Sequence, residues 1–429
     1  MRKNPRVVIV GAGFGGLNAA KSLDKSNIDT VLIDRTNHHL FQPMLYQVAT
    51  AALSPGDIAS PIRTILRGKN SIKVEMDEVE SLHLQENYIM LADQGRMDYD
   101  YLILAPGARH SYYGHPEWEQ YAPGLKNLDD ALYIREKVLL SFEKAEHVYG
   151  THDAQQYLTF VIVGGGPTGV EVAGALAEIG EKAMLHDFPT LRKSDIRIFL
   201  VDAGTRILQS FPSSLSEQAQ KDLHQLGVTV ILESRVIDMT DHTVTLQHKH
   251  GKEIIESANI IWAAGNEASP LLQSAGIPLD QQGRAIVEQD CAVPGFENVF
   301  VIGDAAHFEE KQGTILPGIC PVAVQQAQYV ANVIIRRLGK AQRKPFKYLD
   351  KGTLATIGRA KAIMTIRGKF NISGLVAWLM WAGIHVFFLI GFRNRLRVMI
   401  EWIWYYLTFK PGARLIVRKH YRQQSSSPD

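Results

Sequence analysis

An α/β architecture with two Rossmann-like halves and a helical C-terminal region is predicted for this 429-residue chain by three observations. An apolar run opens into a glycine loop at the N terminus, and the same strand–loop–helix pattern returns around Gly164. The C-terminal segment from Arg359 to Asp429 is basic and holds four of the six tryptophans. With 46% hydrophobic residues and 35 glycines, the chain can bury the cores of two or three domains. Its composition is neither disordered nor fibrous.

Residues 7–10, VVIV, suit a strand of a parallel sheet buried on both faces. They lead into Gly11-Ala-Gly13-Phe-Gly-Gly16 and a helix-forming LNAAKSL. Gly11 permits the tight turn, Gly13 lets the backbone approach a pyrophosphate, and Gly16 allows close helix packing. The helix N-terminus adds unpaired N–H groups and partial positive charge. The next strand, TVLID, ends at Asp34, near the motif's usual spacing of ~20 residues, where a carboxylate can hold ribose hydroxyls. The basic residues ahead of the first run resemble the start of a signal peptide. The run is short and feeds straight into the loop, so it reads as a strand, with the catalytic body inside the cell.

The second copy places Gly164, Gly166 and Gly169 after residues 160–163 and before another helix. Its acidic strand end, Asp202, lies beyond the usual ~20 residues from the loop, with HDFPTLRKSD as an insertion before the strand. Asp202 favours NAD over NADP, because it would repel a 2′-phosphate; Arg206, four positions on, could accommodate one. A single glycine loop is weak evidence, since such loops also make ordinary turns. Two in full strand–loop–helix–strand context point to two dinucleotides, a flavin held through turnover and a nicotinamide that comes and goes. YDYLILAPGA (99–108) and NIIWAAGN (259–266) read as further strands with glycine turns. NVFVIGDAA (298–306) ends at Gly303-Asp304, where the acid can meet a ribityl chain or pyrophosphate.

The expected organisation is interleaved. Residues 1–110 begin the flavin domain, 111–155 form a partly helical connection, 156–270 the nicotinamide domain, 271–342 the rest of the flavin domain, and 343–429 a membrane-anchoring region. Cys291 and Cys320 are far apart in the chain and in no CxxC, so they offer no thiol–disulfide relay. Two thiols cannot hold a four-cysteine iron–sulfur cluster, and no ligand-spaced group suggests a metal.

A formal charge of +2 is the sum of an acidic body and a basic tail. Residues 359–429 carry 12 Lys/Arg against 2 Asp/Glu, and residues 1–358 carry 34 against 42. From Gly374 to Phe392 no side chain is formally charged, about 28 Å of helix at ~1.5 Å per residue. Beyond them Arg393, Arg397 and Glu401 recur every fourth position among apolar and tryptophan side chains, an amphipathic pattern. Attachment along a membrane surface, a true span, and a core or dimer helix pair are the three readings. The apolar and tryptophan content argues against a nucleic-acid role.

These pieces resemble the two-dinucleotide-binding-domain flavoproteins, whose arrangement is glutathione-reductase-like, and more closely the type II NADH dehydrogenases. The carrying segments are the first loop, NHHLFQPMLYQVATAALSPGDIASPIR (37–63), GGGPTGVEVAGALAE (164–178), IGDAA (302–306), LPGICPVAVQQAQYVA (316–331) and SGLVAWLMWAGIHVFFLIGFRNRLRV (373–398). The resemblance implies FAD, NADH and a membrane quinone, with two electrons passing through the flavin in ping-pong fashion and no proton pumping. It also implies a homodimer, peripheral and monotopic on the cytoplasmic face of the cell membrane.

By position it assigns FAD to Gly11, Gly13, Phe14, Gly15, Gly16, Asp34, Arg35, Ala105, Gly107, Gly303, Asp304 and Gln326. NADH falls to Gly164, Gly166, Pro167, Thr168, Gly169, Glu171, Asp202, Ala264 and Gly265. Pro321, Val322, Gln325 and Gln326 form the quinone side, where Pro321 replaces a glutamine often found in the family and cannot offer its hydrogen bond. Glu171 and Gln326 are the catalytic candidates. The residues alone put Glu171 in a helix's first turn, where the dipole stabilises its charge, and allow a solvated or capping role equally. Two other readings stay open: a same-fold flavoprotein with another donor, such as a sulfide:quinone type, and a membrane-associated NAD-responsive sensor.

Overall fold

Residues 4–24, 26–311, 313–408 and 413–416 are described by the computed structural model. The chain divides into two compact units. The first comprises Met1–Leu40, Ala59–Arg109 and Asn266–Asp350. Its six-stranded sheet runs, edge to edge, Ala292–Val293, Phe296–Val301, Tyr101–Leu104, Arg6–Val10, Asp29–Asp34 and Ile72–Met76. The last five strands are mutually parallel, and the short first strand pairs antiparallel at the edge. Parallel strands need covering on both faces, and Val7, Val8, Ile9, Leu102, Ile103 and Leu104 are indeed fully buried. Helix Phe14–Leu23 packs against helix Cys320–Ile335. The latter turns Ala323, Gln326, Ala327, Val330 and Ala331 inward, the small-residue face that its spacing predicts.

The second unit comprises Phe41–Ile58, His110–Gly265 and Lys351–Asp429. Its parallel sheet has the order Val228–Ile231, Arg197–Val201, Thr159–Val163, Asn259–Trp262. An antiparallel meander, Arg235–Met239, Thr243–His248 and Gly251–Glu256, shares a core with it, where Trp118, Trp262 and Tyr112 lie among Val161, Val163, Val244 and Leu246. The expected connection contains the 20-residue helix Leu128–His147, opened by a reciprocal capping box between Asn127 and Asp130. The HDFPTLRKSD insertion falls between the π-helical turn Gly180–Met184 and the strand Arg197–Val201, and its two ends lie in the short helical turns Leu185–Asp187 and Lys193–Asp195.

Two groupings differ from the linear reading. Residues 41–58 leave the first unit, and residues 351–429 join the second instead of forming a body of their own. The physical reason is packing. A three-stranded sheet, Thr353–Thr356, Ala362–Ile366 and Phe370–Ser373, lies against helix Pro167–Ile179. There a Cβ on Gly174 would stand 3.1 Å from the Gly358 nitrogen. Helix Gly374–Phe388 packs on that sheet. It is 15 residues long, and among the described residues no helix is long and apolar enough to cross a membrane.

Phe142 is 1% exposed, between Phe160 and Phe188 at ring separations of 5.9 and 6.1 Å. Phe142→Ala should destabilise the second unit by about 3–5 kcal/mol, measured as a lowered urea midpoint.

Candidate functional site

Each unit carries a glycine loop, and the two are fastened alike. In the first, Gly11 N–H donates to the Ile33 carbonyl at 2.8 Å, and Gly11 has φ +93°. A Cβ there would meet the Ala105 carbonyl oxygen at 2.2 Å, so a side chain is barred by both conformation and space. A Cβ on Gly16 would stand 1.8 Å from the Gly11 oxygen, whereas one on Gly13 would meet nothing within 4 Å. The loop closes on itself at its first and last glycines and faces open space at the middle one, as a backbone cradle for a pyrophosphate must. Asp34 accepts from Ala12 N–H at 2.7 Å with one oxygen, and from Thr36 N–H and Oγ1–H at 2.8 and 2.7 Å with the other.

The second loop repeats these features. Gly164 N–H donates to the Val201 carbonyl at 2.8 Å, and a Gly169 Cβ would lie 1.8 Å from the Gly164 oxygen. Gly166, like Gly13, faces open space. Asp202 accepts from Gly165 N–H at 2.6 Å and from Gly204 N–H at 2.7 Å. The strand ends at Ala105 and Ala264 supply the floors of the two loops, since a Gly164 Cβ would touch Ala264 N at 2.7 Å. Gly107 and Gly265 turn the chain away at φ +73° and +67°. Phe14, Gly15 and Pro167, Thr168 form the first turns of the two loop helices, and Arg35 is exposed beside Asp34. Arg206 donates to the Gln209 carbonyl at 3.0 Å and is half-buried.

Around Gly303 the first unit builds a second approach to its sheet. Gln326, 1% exposed, accepts from Gly303 N–H at 2.8 Å through its side-chain oxygen, which ties helix Cys320–Ile335 to the strand end next to Asp304. Pro321 occupies the first turn of that helix and Val322 is buried. Gln325 turns elsewhere: its amide donates to the Leu349 carbonyl at 3.1 Å and accepts from Leu349 N–H at 2.9 Å. The expected quinone contact at Gln325 therefore meets a competing structural use of the same amide.

Glu171 requires a correction: a first-turn position with a dipole-stabilised charge, or a solvated side chain, is expected, but the helix begins at Pro167 and places Glu171 fifth, in its second turn. Its side chain is instead half-buried, and desolvation pushes its pKa up to about 8, with the Thr356 N–H at 3.5 Å the opposing influence. A dipole effect of about 0.3–1 kcal/mol does not offset that loss of hydration. From Thr356 a buried chain of polar groups continues: its Oγ1 lies 3.2 Å from Tyr46 Oη, Gln47 donates to Tyr46 Oη at 3.0 Å, and Trp402 Nε1–H donates to Gln47 at 2.8 Å. Two turns beyond Glu171 on the same helix, Glu178 accepts from Arg359 N–H, and burial raises it to about 7. Sequence reasoning missed Thr36, His39, Tyr46, Gln47 and Thr356. The first four lie between positions 36 and 47, just past Asp34, where the segment's only signal is its family resemblance. Among the described residues no group of His, Cys, Asp and Glu could hold a metal ion.

The chain matches the family model of pyridine nucleotide-disulphide oxidoreductases over residues 5–327 and that of the NDH2 C-terminal domain over 351–409. It is 40% identical over 422 residues to a Mycobacterium tuberculosis type II NADH:quinone oxidoreductase, Ndh, covering 96% of this chain and 90% of that one. Its similarity to NdhA of the same organism is 42% over 411 residues, with 92% and 86% covered. The solved structure of NDH2 from Plasmodium falciparum in complex with NADH shares the fold, with TM-score 0.87 at 23% identity over 97% of this chain and 100% of that one. A sulfide:quinone oxidoreductase from Aquifex aeolicus is a more distant fold match, TM-score 0.73 at 17% identity, covering 91% and 92%.

Because Glu171 holds its proton in the folded state up to about pH 8 and releases it near 4.5 when unfolded, it lowers stability progressively as pH rises between those values. Glu171→Gln should therefore melt higher than the parent protein at pH 9, with the difference vanishing near pH 4. A difference independent of pH would contradict the raised value.

Proposed function

This chain belongs to the type II NADH:quinone oxidoreductases, and on that premise we propose how its own residues divide the work. The enzyme transfers electrons from NADH to a quinone with FAD as cofactor. Held by the first loop, FAD would supply the two-electron redox chemistry that joins NADH oxidation to quinone reduction. The observation that carries the assignment is the repeated cradle: two glycine loops, each with its middle glycine facing open space and its neighbouring amide tied to an acidic strand end.

In this proposal Gly13 and the helix Phe14–Leu23 hold the FAD pyrophosphate, with Asp34 at a ribose. Gly166 and helix Pro167–Ile179 hold the NADH pyrophosphate, with Asp202 favouring a free 2′-hydroxyl over a phosphate. Glu171, largely protonated at neutral pH, keeps a proton at its carboxyl inside the nicotinamide unit. A quinone needs two protons along with two electrons, and a neutral acid near pH 7 is matched to that task. Gln326 positions the Gly303–Asp304 turn through its hydrogen bond to Gly303. Flux needs no proton pumping in this scheme, and NADH and quinone alternate in ping-pong order.

The expected assay result is bleaching of the flavin's visible absorbance by NADH without oxygen, and return of the colour on adding a quinone. Failure to bleach would remove the dehydrogenase reading. Bleaching without recovery by any quinone would remove the acceptor and favour the sensor reading.

The proposal includes peripheral attachment to the cytoplasmic face of the membrane, where NADH is found, and a homodimer, which rests on the family resemblance. Support for attachment comes from helices Gly374–Phe388 and Phe392–Thr408. Phe387, Phe388, Phe392, Ile400, Ile403 and Trp404 are each more than half exposed, an apolar surface unusual for a solvent-facing helix. Arg395 sits 5.8 Å from the Phe387 ring, and a basic side chain near an anionic leaflet adds about 1 kcal/mol. Trp381, Trp402 and His385 form the inward face; burial lowers the His385 pKa to about 4, so it carries no charge there at neutral pH. Replacing Phe387 and Ile403 with aspartate should cut vesicle flotation at least a hundredfold, at about 1.5–3 kcal/mol per large side chain, while NADH still bleaches the flavin. Unchanged flotation would exclude this surface.

A further inference from the structure

The two glycine loops are also fastened at a point that their motif does not mark. A peptide unit is planar and trans, so a carbonyl and the N–H of the following residue point in opposite directions. Whatever grips the Ala12 carbonyl therefore aims the Gly13 N–H, and Gly13 is where the first loop faces open space. The grip comes from His39, whose ring nitrogen Nδ1 lies 2.8 Å from the Ala12 oxygen. A carbonyl only accepts, so Nδ1 carries the hydrogen and donates it.

The second loop has the same grip from a different source. The Gly165 carbonyl accepts from the backbone N–H of Leu208 at 2.7 Å, opposite the Gly165 N–H held by Asp202. Gly13 and Gly166 then share nearly one conformation, φ −66°, ψ −162° and φ −74°, ψ 180°. In both loops the residue before the middle glycine is held at its N–H by the acidic strand end and at its C=O by a second group. One loop takes that group from a side chain and the other from the main chain.

Both arrangements carry a local cost. Leu208 adopts φ +50°, a left-handed conformation unfavourable for a leucine. His39 is 2% exposed, and its Nε2 is buried without a hydrogen-bond partner among the described residues. An aliphatic side chain would fill the same space without stranding a ring nitrogen. Burial pushes the imidazole pKa down, and Phe14 meets the ring edge-on at 5.1 Å and 88°, which holds its orientation. Costs borne at equivalent points of two loops, by unrelated segments, indicate that the carbonyl grip serves what the loops have in common.

We propose that His39 is a positioning residue for the flavin cofactor: by gripping the Ala12 carbonyl it aims the Gly13 N–H at the FAD pyrophosphate, as Leu208 N–H does for Gly166 at the NADH pyrophosphate. The inference rests on the assignment of FAD to the first loop. His39 acts through the loop backbone, and its donor is present in both the neutral and the protonated ring.

The test uses the full-length flavoprotein and two variants. His39→Phe keeps a ring but has no donor; His39→Gln keeps an N–H that can reach a nearby carbonyl. Apoprotein of each is titrated with FAD, and the phosphorus resonances of bound FAD are recorded at saturation. His39→Phe should weaken FAD binding on the order of tenfold or more, as for a lost hydrogen bond to a charged group, and shift the pyrophosphate resonances. His39→Gln should recover most of both, and NADH affinity should stay at the parent value in each. In the parent protein, ¹⁵N spectra should show Nδ1 protonated across neutral pH, a readout that survives if a variant does not fold. Equal FAD loss in both variants, parental FAD affinity and phosphorus shifts in His39→Phe, or an Nε2–H tautomer would each overturn the proposal. A parent protein that takes up no FAD would overturn the cofactor assignment itself, and the proposal with it.

Discussion

A chain that turns sharply through glycines exposes main-chain N–H and C=O groups, and buried ones must be paired. A dinucleotide site requires some of those N–H groups to stay available for phosphate oxygens. The structure reconciles the two demands with a carboxylate at the end of the neighbouring strand. Asp34 and Asp202 each bind the loop amide just before the middle glycine and a backbone N–H two positions beyond themselves. Each acid thus closes its loop onto the sheet while the middle glycine keeps its N–H outward. The parallel sheets, their apolar strands and the helices that cover them exist around that arrangement, since it needs two adjacent parallel strands ending at the same level.

Burial then separates the acids by role. Asp34 and Asp202 accept hydrogen bonds from backbone N–H groups of their own loops and strand ends. Glu171 and Glu178 lie on one helix under the sheet Thr353–Thr356, Ala362–Ile366 and Phe370–Ser373, and desolvation outweighs their single backbone contacts. The functional group is a carboxyl in all four positions. The C-terminal segment therefore does more than provide an apolar surface, because its strand Thr353–Thr356 packs on the helix that carries Glu171 and brings the Thr356 N–H to its carboxyl. Thr356, Tyr46, Gln47 and Trp402 link that covered acid to the amphipathic helix by neighbouring polar contacts.

Much of the fold was legible because its signals are local. The runs VVIV and FVIV, the glycine spacing and the acidic strand ends are contiguous patterns, and the structure has strands, loops and helices at those places. The amphipathic pattern after residue 392 likewise became helix Phe392–Thr408. What was not legible depended on partners distant in sequence. Gln325 reads as an available amide until Leu349 comes to meet it. Glu171 reads as a first-turn acid until Thr356, 185 residues later, arrives above it. Residues 41–58 sit between two first-unit segments in the chain, yet they group with the second unit.

The sequence by itself determined the two cradles and the basic, tryptophan-rich tail, because backbone turns, strand periodicity and charge are properties of neighbouring residues. Tertiary structure decided the protonation of Glu171, the use of Gln325, and the grip of His39 on Ala12, 27 residues apart. Hydration and hydrogen-bond partners are set by what surrounds a group in space, and a linear pattern does not contain them.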